Sequence, residues 1–120
     1  MKVIYNSTDA SSIFFRACHR LRESAFETAC LISSTAYDVP AELLDVWVEL
    51  CDTARDFWFP DSADERDLAI LRRKSGRVVD LAKKVAKNVP AARKYVKQAT
   101  DAVRILARIY IDENGLEIVD

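Results

Sequence analysis

Along four stretches of this chain, apolar residues recur every three or four positions, the spacing that gathers them on one face of an α-helix. The first stretch predicts a helix over about 9–36, with Phe14, Cys18, Leu21, Ala25, Thr28 and Ile32 facing inward and Ser7 or Thr8 as its N-cap. The second predicts a helix over about 39–58, with Leu43, Trp47, Leu50, Ala54 and Phe57 as the inward stripe. Leu44, Cys51 and Trp58 widen that stripe on one side. Asp38 reads as its cap, and Pro40 falls in the first turn, where a missing N–H costs nothing. Beyond the break at Phe59-Pro60-Asp61, Ser62-Ala63-Asp64-Glu65 has the form of a capping box. The helix it opens spans about 63–87, with Leu68, Leu71, Ser75, Val78, Ala82 and Val85 inward. The last stretch predicts a helix over about 89–111, with Val89, Ala92, Val96, Ala99, Val103, Leu106 and Tyr110 inward and Asn114-Gly115 as a left-handed stop.

The join between the last two stretches admits two readings. Their heptads run through Pro90 without a slip, which fits one long kinked helix. Asn88-Val89-Pro90-Ala91, however, repeats the pattern of Asp38-Val39-Pro40-Ala41, which fits a second helix start and hence a hairpin. With the hairpin, four antiparallel helices joined by short loops make an all-α, up-down-up-down four-helix bundle, a single domain over 1–120. Val3-Ile4-Tyr5 and Leu116-Glu117-Ile118-Val119 read as short β-like ends, able to pair with each other or with another copy.

Composition agrees with this picture. Half of the 120 residues are apolar and 31% are charged, so one well-covered core is expected. Two Gly and three Pro are few for a β-rich chain. No apolar run is long enough for a membrane span, and Met1–Asn6 does not open a signal peptide. Cys18, Cys30 and Cys51 are odd in number and unpatterned in spacing. Buried free thiols in a reducing cytoplasm are the expectation, with no zinc site and no cofactor.

Charge changes the picture most. The net charge is −1, yet residues 1–65 carry a net −7, residues 66–108 a net +10 and residues 109–120 a net −4. Glu42, Asp45, Glu49, Asp52 and Asp56 recur at 3-4-3-4 spacing, an acidic ridge opposite the apolar stripe of the second helix. Arg73, Arg77, Lys83, Lys84 and Lys87 on the third helix, with Arg93, Lys94, Lys97, Arg104 and Arg108 on the fourth, take solvent positions as a broad basic surface. Such ridges are solvated surface in the plainest case. Beyond that, complementary ridges suit assembly with further copies or docking to a larger protein complex. The basic surface alternatively suits the phosphate backbone of a nucleic acid, bound without sequence preference. No aromatic side chain is expected among those bases, so base stacking is not expected. Small helical subunits of RNA-guided complexes are similar in size and shape, an analogy at the level of fold only.

Catalytic chemistry finds little footing. His19 is the only histidine, and Cys18 beside it points about 100° away round the helix. There is no Gly-rich phosphate loop. Glu23 and Glu27, with Glu42-x-x-Asp45 and Glu49-x-x-Asp52, have spacings similar to those through which all-α nucleoside-triphosphate pyrophosphohydrolases hold Mg²⁺. That likeness is one of spacing alone, and it places a Mg²⁺-dependent hydrolase third. Trp58 and Phe59, after Phe57, form a run that one face cannot bury. They are candidates to plug the end of the bundle or to anchor an interface. The expected function is a non-enzymatic assembly or adaptor subunit, as a homo-oligomer or within a larger protein complex, with nucleic acid as the alternative partner and no membrane.

Overall fold

The computed structural model describes residues 7–34, 41–55, 57, 65–113 and 115–119. Within them lie four α-helices: α1 (Ser7–Ser34), α2 (Ala41–Arg55), α3 (Glu65–Ala86) and α4 (Arg93–Ala107). A single 3-10 turn, Pro90–Ala92, leads into α4, and two strands follow it, β1 (Ile109–Asp112) and β2 (Gly115–Ile118). The helices pack against one another, α1 lying against both α2 and α4, and α4 also against α3. The chain is therefore mostly helical, with a small sheet at its C-terminal side.

The inward stripes of α1 and α3 match their periodicity. Phe14, Cys18, Leu21, Ala25, Thr28 and Ile32 are buried on α1, and Leu68, Leu71, Ser75, Val78, Ala82 and Val85 on α3. Helix ends are less faithful to the sequence. The backbone of Ser7 and Thr8 is already helical, so neither residue precedes the first turn as a cap. The Asp38 cap and the Ser62 capping box fall outside the described residues.

Pro90 turns the chain back. Val89 is held extended at φ −127° and ψ 92°, as crowding by the following proline ring requires. The amides of Asn88 and Val89 both donate to the Val85 carbonyl, at 3.0 and 2.8 Å, closing the end of α3. Val89, not Asn88, occupies the position before the next turn, and no side chain caps it. The reversal is plain from Arg72 on α3, whose Nε donates to the Leu106 carbonyl at 3.1 Å. One straight helix would hold those residues about 50 Å apart. A second guanidinium nitrogen of Arg72 donates to the Ile109 carbonyl. A cation on the last carbonyls of α4 offsets their partial negative charge.

The predicted fourth helix stops short of its expected end. α4 closes at Ala107, and Ile109–Asp112 turns into a strand instead of continuing the helix to 111, so Tyr110 is not on the helical stripe. The expected left-handed residue is found at Gly115, with φ 103°, but it serves a hairpin and not a helix stop. β2 pairs antiparallel with β1 in the register Ile109↔Ile118, Tyr110↔Glu117, Ile111↔Leu116 and Asp112↔Gly115. The Val119 amide extends the pairing to the Arg108 carbonyl at 2.9 Å. The β-like C-terminus has thus found a partner inside the chain, whereas Val3-Ile4-Tyr5 lies outside the described residues. Ile109 and Ile118 join one core cluster with Leu21, Val78, Leu106, Leu50 and Phe57.

Candidate functional site

α2 is apolar over more than half of its circumference, and only part of that surface is covered. Leu43, Val46, Leu50, Thr53 and Ala54 are buried, followed by Phe57 just beyond the helix. Leu44, Trp47 and Val48 remain exposed, at 51%, 38% and 50% of their full surface. Placing Trp47 and Leu44 in the core was therefore wrong. The stripe read from the sequence was too wide for one neighbour, and α1 covers the arc centred on Leu50 instead.

The uncovered arc adjoins a groove of about 600 Å³ between α1 and α2. Arg22 and Phe26 line it from α1, and Cys51, Ala54 and Arg55 from α2, together with His19 and Glu23. Phe26 is 56% exposed. Phe15 lies three turns earlier on the same side of α1 and is 49% exposed. These exposed apolar side chains lie beside the charged residues Arg22, Glu23 and Arg55 that also line the groove. Neither phenylalanine was singled out from sequence, although their spacing of eleven residues, three helical turns, places them on one face outside the core stripe.

The thiols divide three ways, against the expectation that all would be buried. Cys18 is buried and burial pushes its pKa up to about 12. Cys51, half-buried at the groove, is raised first by burial and then by Asp52 and Cys30. Cys30 is exposed, because it continues the Phe26 side of α1 and not the core stripe. All three are free.

The acidic ridge is partly committed within the chain. Glu49 turns toward α3, where Arg77 donates to its two carboxylate oxygens at 2.6 and 2.8 Å. This bidentate bond lowers the Glu49 pKa, with Arg77 and Lys84 also acting through charge. Asp45 and Asp52 are exposed, while the side chain of Glu42 and all of Asp56 lie outside the described residues. So do Trp58 and Phe59, the candidate aromatic anchors.

All ten residues of the basic surface are exposed: Arg73, Arg77, Lys83, Lys84, Lys87, Arg93, Lys94, Lys97, Arg104 and Arg108. Asp101 tempers it, lying 3.1 Å from Lys97 and 3.9 Å from Arg104. Beside Lys94 and Lys97, the α1–α4 junction adds Arg20, and Gln98 there donates to the Arg20 carbonyl and to Glu23. The expectation of no aromatic among these bases fails at Tyr95, which is half-buried with the Lys94 ammonium 4.9 Å from its ring centroid.

His19 is exposed on the helix flank, 3.6 Å from Glu23. Among the described residues no three His, Cys, Asp or Glu side chains converge as a metal site. Glu23 is engaged by Gln98 on the α4 side, and Glu49 by Arg77 on the α3 side, so these two carboxylates do not face each other. No helix of the described residues is long and apolar enough to cross a membrane. Ser24 Oγ, Thr28 Oγ1 and one Glu117 carboxylate oxygen are buried without a hydrogen-bond partner, and none of these residues lines the groove. Comparison with protein-family profiles, with curated proteins and with solved structures found no match for this chain.

Proposed function

We propose that this chain is a non-enzymatic assembly or adaptor subunit of the cytoplasm, docking to protein through the α1–α2 face with its charged ridges setting orientation. The observation that carries this reading is the row Leu44, Trp47 and Val48, left exposed beside an apolar groove on a helix whose other large aliphatic side chains, Leu43, Val46 and Leu50, are buried. Its burial in a partner removes apolar surface from water at roughly 25 cal/mol per Å². An up-down-up-down course of the four helices belongs to the same reading, supported by the reversal at Pro90 and by the packing of α1 against both α2 and α4.

A photoreactive side chain placed at Val48 in the protein's native cells tests the proposal. Covalent adducts to protein are expected, and a chain that captures none would sink it. The runner-up is a backbone-binding subunit of a nucleic-acid complex, favoured by the ten exposed bases on α3 and α4. In that case Lys94→Glu with Lys97→Glu abolishes salt-sensitive binding to a short RNA or DNA, while Val48 captures nothing.

A further inference from the structure

We propose that the occupant of the α1–α2 face is a second copy of this chain, joined about a two-fold axis with the two α2 helices antiparallel. This contact rests on the assembly reading and names its partner.

The outward row of α2 has the form of a groove-binding helix. Leu44, Trp47, Val48 and Cys51 stand at i, i+3, i+4 and i+7, the anchors that an amphipathic helix lays into an apolar groove. Such a groove lies directly beside the row, floored by Phe26, Cys51 and Ala54. Anchor and receptor therefore share one face of one molecule. A face that carries both halves of a contact is self-complementary, and closing it on itself takes a two-fold rotation.

Charge chooses the direction of the helices. The row ends at the exposed Arg55, and the exposed Asp45 lies near its start. In an antiparallel pairing centred between Glu49 and Leu50, each Arg55 comes level with Leu44, beside Asp45, of the other copy. Two opposite-charge pairs then flank the apolar centre. A parallel pairing in register sets Arg55 level with Arg55 and Asp45 level with Asp45, which repels at both ends. Glu49 does not compete for this role, since Arg77 holds it on the other flank of α2.

The face is also large enough. α1 has 28 residues and runs for about 42 Å, α2 has 15 and runs for about 22 Å, and each helix is about 10 Å wide. The resulting face of roughly 600 Å² per copy, about 1,200 Å² over the two, reaches the lower end of what a stable interface buries.

Sedimentation velocity of the full chain over a range of concentrations decides the matter. The wild type is expected to form a dimer, and Val48→Glu, at an exposed position that leaves the helical circular dichroism unchanged, is expected to weaken it at least tenfold. Asp45→Arg and Arg55→Glu are each expected to weaken it, and the double variant to recover most of the loss. A dimer indifferent to Val48→Glu, or a double reversal no tighter than the single ones, overturns the proposed contact. So does a chain that stays monomeric at every concentration. If that monomer still captures another protein from Val48, the second copy is refuted and the assembly reading stands. If it captures nothing, both fall.

Discussion

α2 and α4 have the same length, fifteen residues each, and treat their apolar side chains in opposite ways. α4 turns Ala99, Ala102 and Leu106 inward, all fully buried, and lies against α1 and α3 together. Its flanking Val96 and Val103 are half-buried, and Arg93, Lys97, Arg104 and Arg108 occupy the opposite side. Alanines let the α4 backbone approach both neighbours closely, so two helices cover the centre of its apolar face and leave no large apolar side chain fully exposed. α2 carries Leu43, Leu44, Val46, Trp47, Val48, Leu50 and Cys51 over a much wider arc. α1 covers one part of that arc, and the contacts of α3 with α2 include the polar Arg77–Glu49 pair. A helix whose apolar arc exceeds what its neighbours can cover keeps an exposed apolar side.

The contrast within α2 predicts the largest effect. Leu50→Ala removes a fully buried side chain and should cost about 2–5 kcal/mol in denaturant unfolding. Val48→Thr, two residues away but half exposed, should shift the unfolding of the dilute, dissociated chain by no more than about 0.5 kcal/mol. Equal losses at the two positions would erase the distinction between the covered and uncovered arcs.

For α4, the hold that α3 exerts on its end is the next effect in size. Arg72→Met keeps the packing length but removes the bonds to the Leu106 and Ile109 carbonyls, and should cost about 1–3 kcal/mol. Hydrogen exchange should quicken in the last turn of α4 and in the hairpin before it does elsewhere. Unchanged protection there would mean that packing alone sets the end of the helix.

The smallest effect belongs to the polar flank of α2. Because the folded pKa of Glu49 is lowered, its bond to Arg77 contributes stability in full above the ordinary carboxylate value of 4.5. That contribution fades as the pH falls through the lowered folded value. Glu49→Gln should therefore lose a little stability at neutral pH and match the wild type in acid. The loss stays small because both side chains are more than a third exposed to solvent screening. A difference that persists undiminished in acid would assign the effect to packing and not to the ion pair.

Helix positions, and the faces that α1 and α3 bury, were readable from the sequence, because periodicity is a local property written into each turn. The capacity of the chain to break at Pro90 was readable too, since a proline restricts the residue before it wherever it stands. Three things waited for the tertiary structure. Trp47 and Leu50 both fit an inward stripe on α2, and only the position of α1 decided that Leu50 is buried and Trp47 is not. Ile109, Tyr110 and Ile111 suit helix and strand alike, and the choice fell to contacts remote in sequence. Arg72 donates to the Leu106 carbonyl at the end of α4 and to the Ile109 carbonyl at the start of β1, and Leu116–Ile118 offers a strand across the Gly115 turn. Cys30, Phe26 and Phe15 were unremarkable in the pattern and became a surface only when α2 came alongside without covering them. Local spacing determines which side chains share a face, whereas exposure depends on how much of that face the neighbouring helices are wide enough to cover.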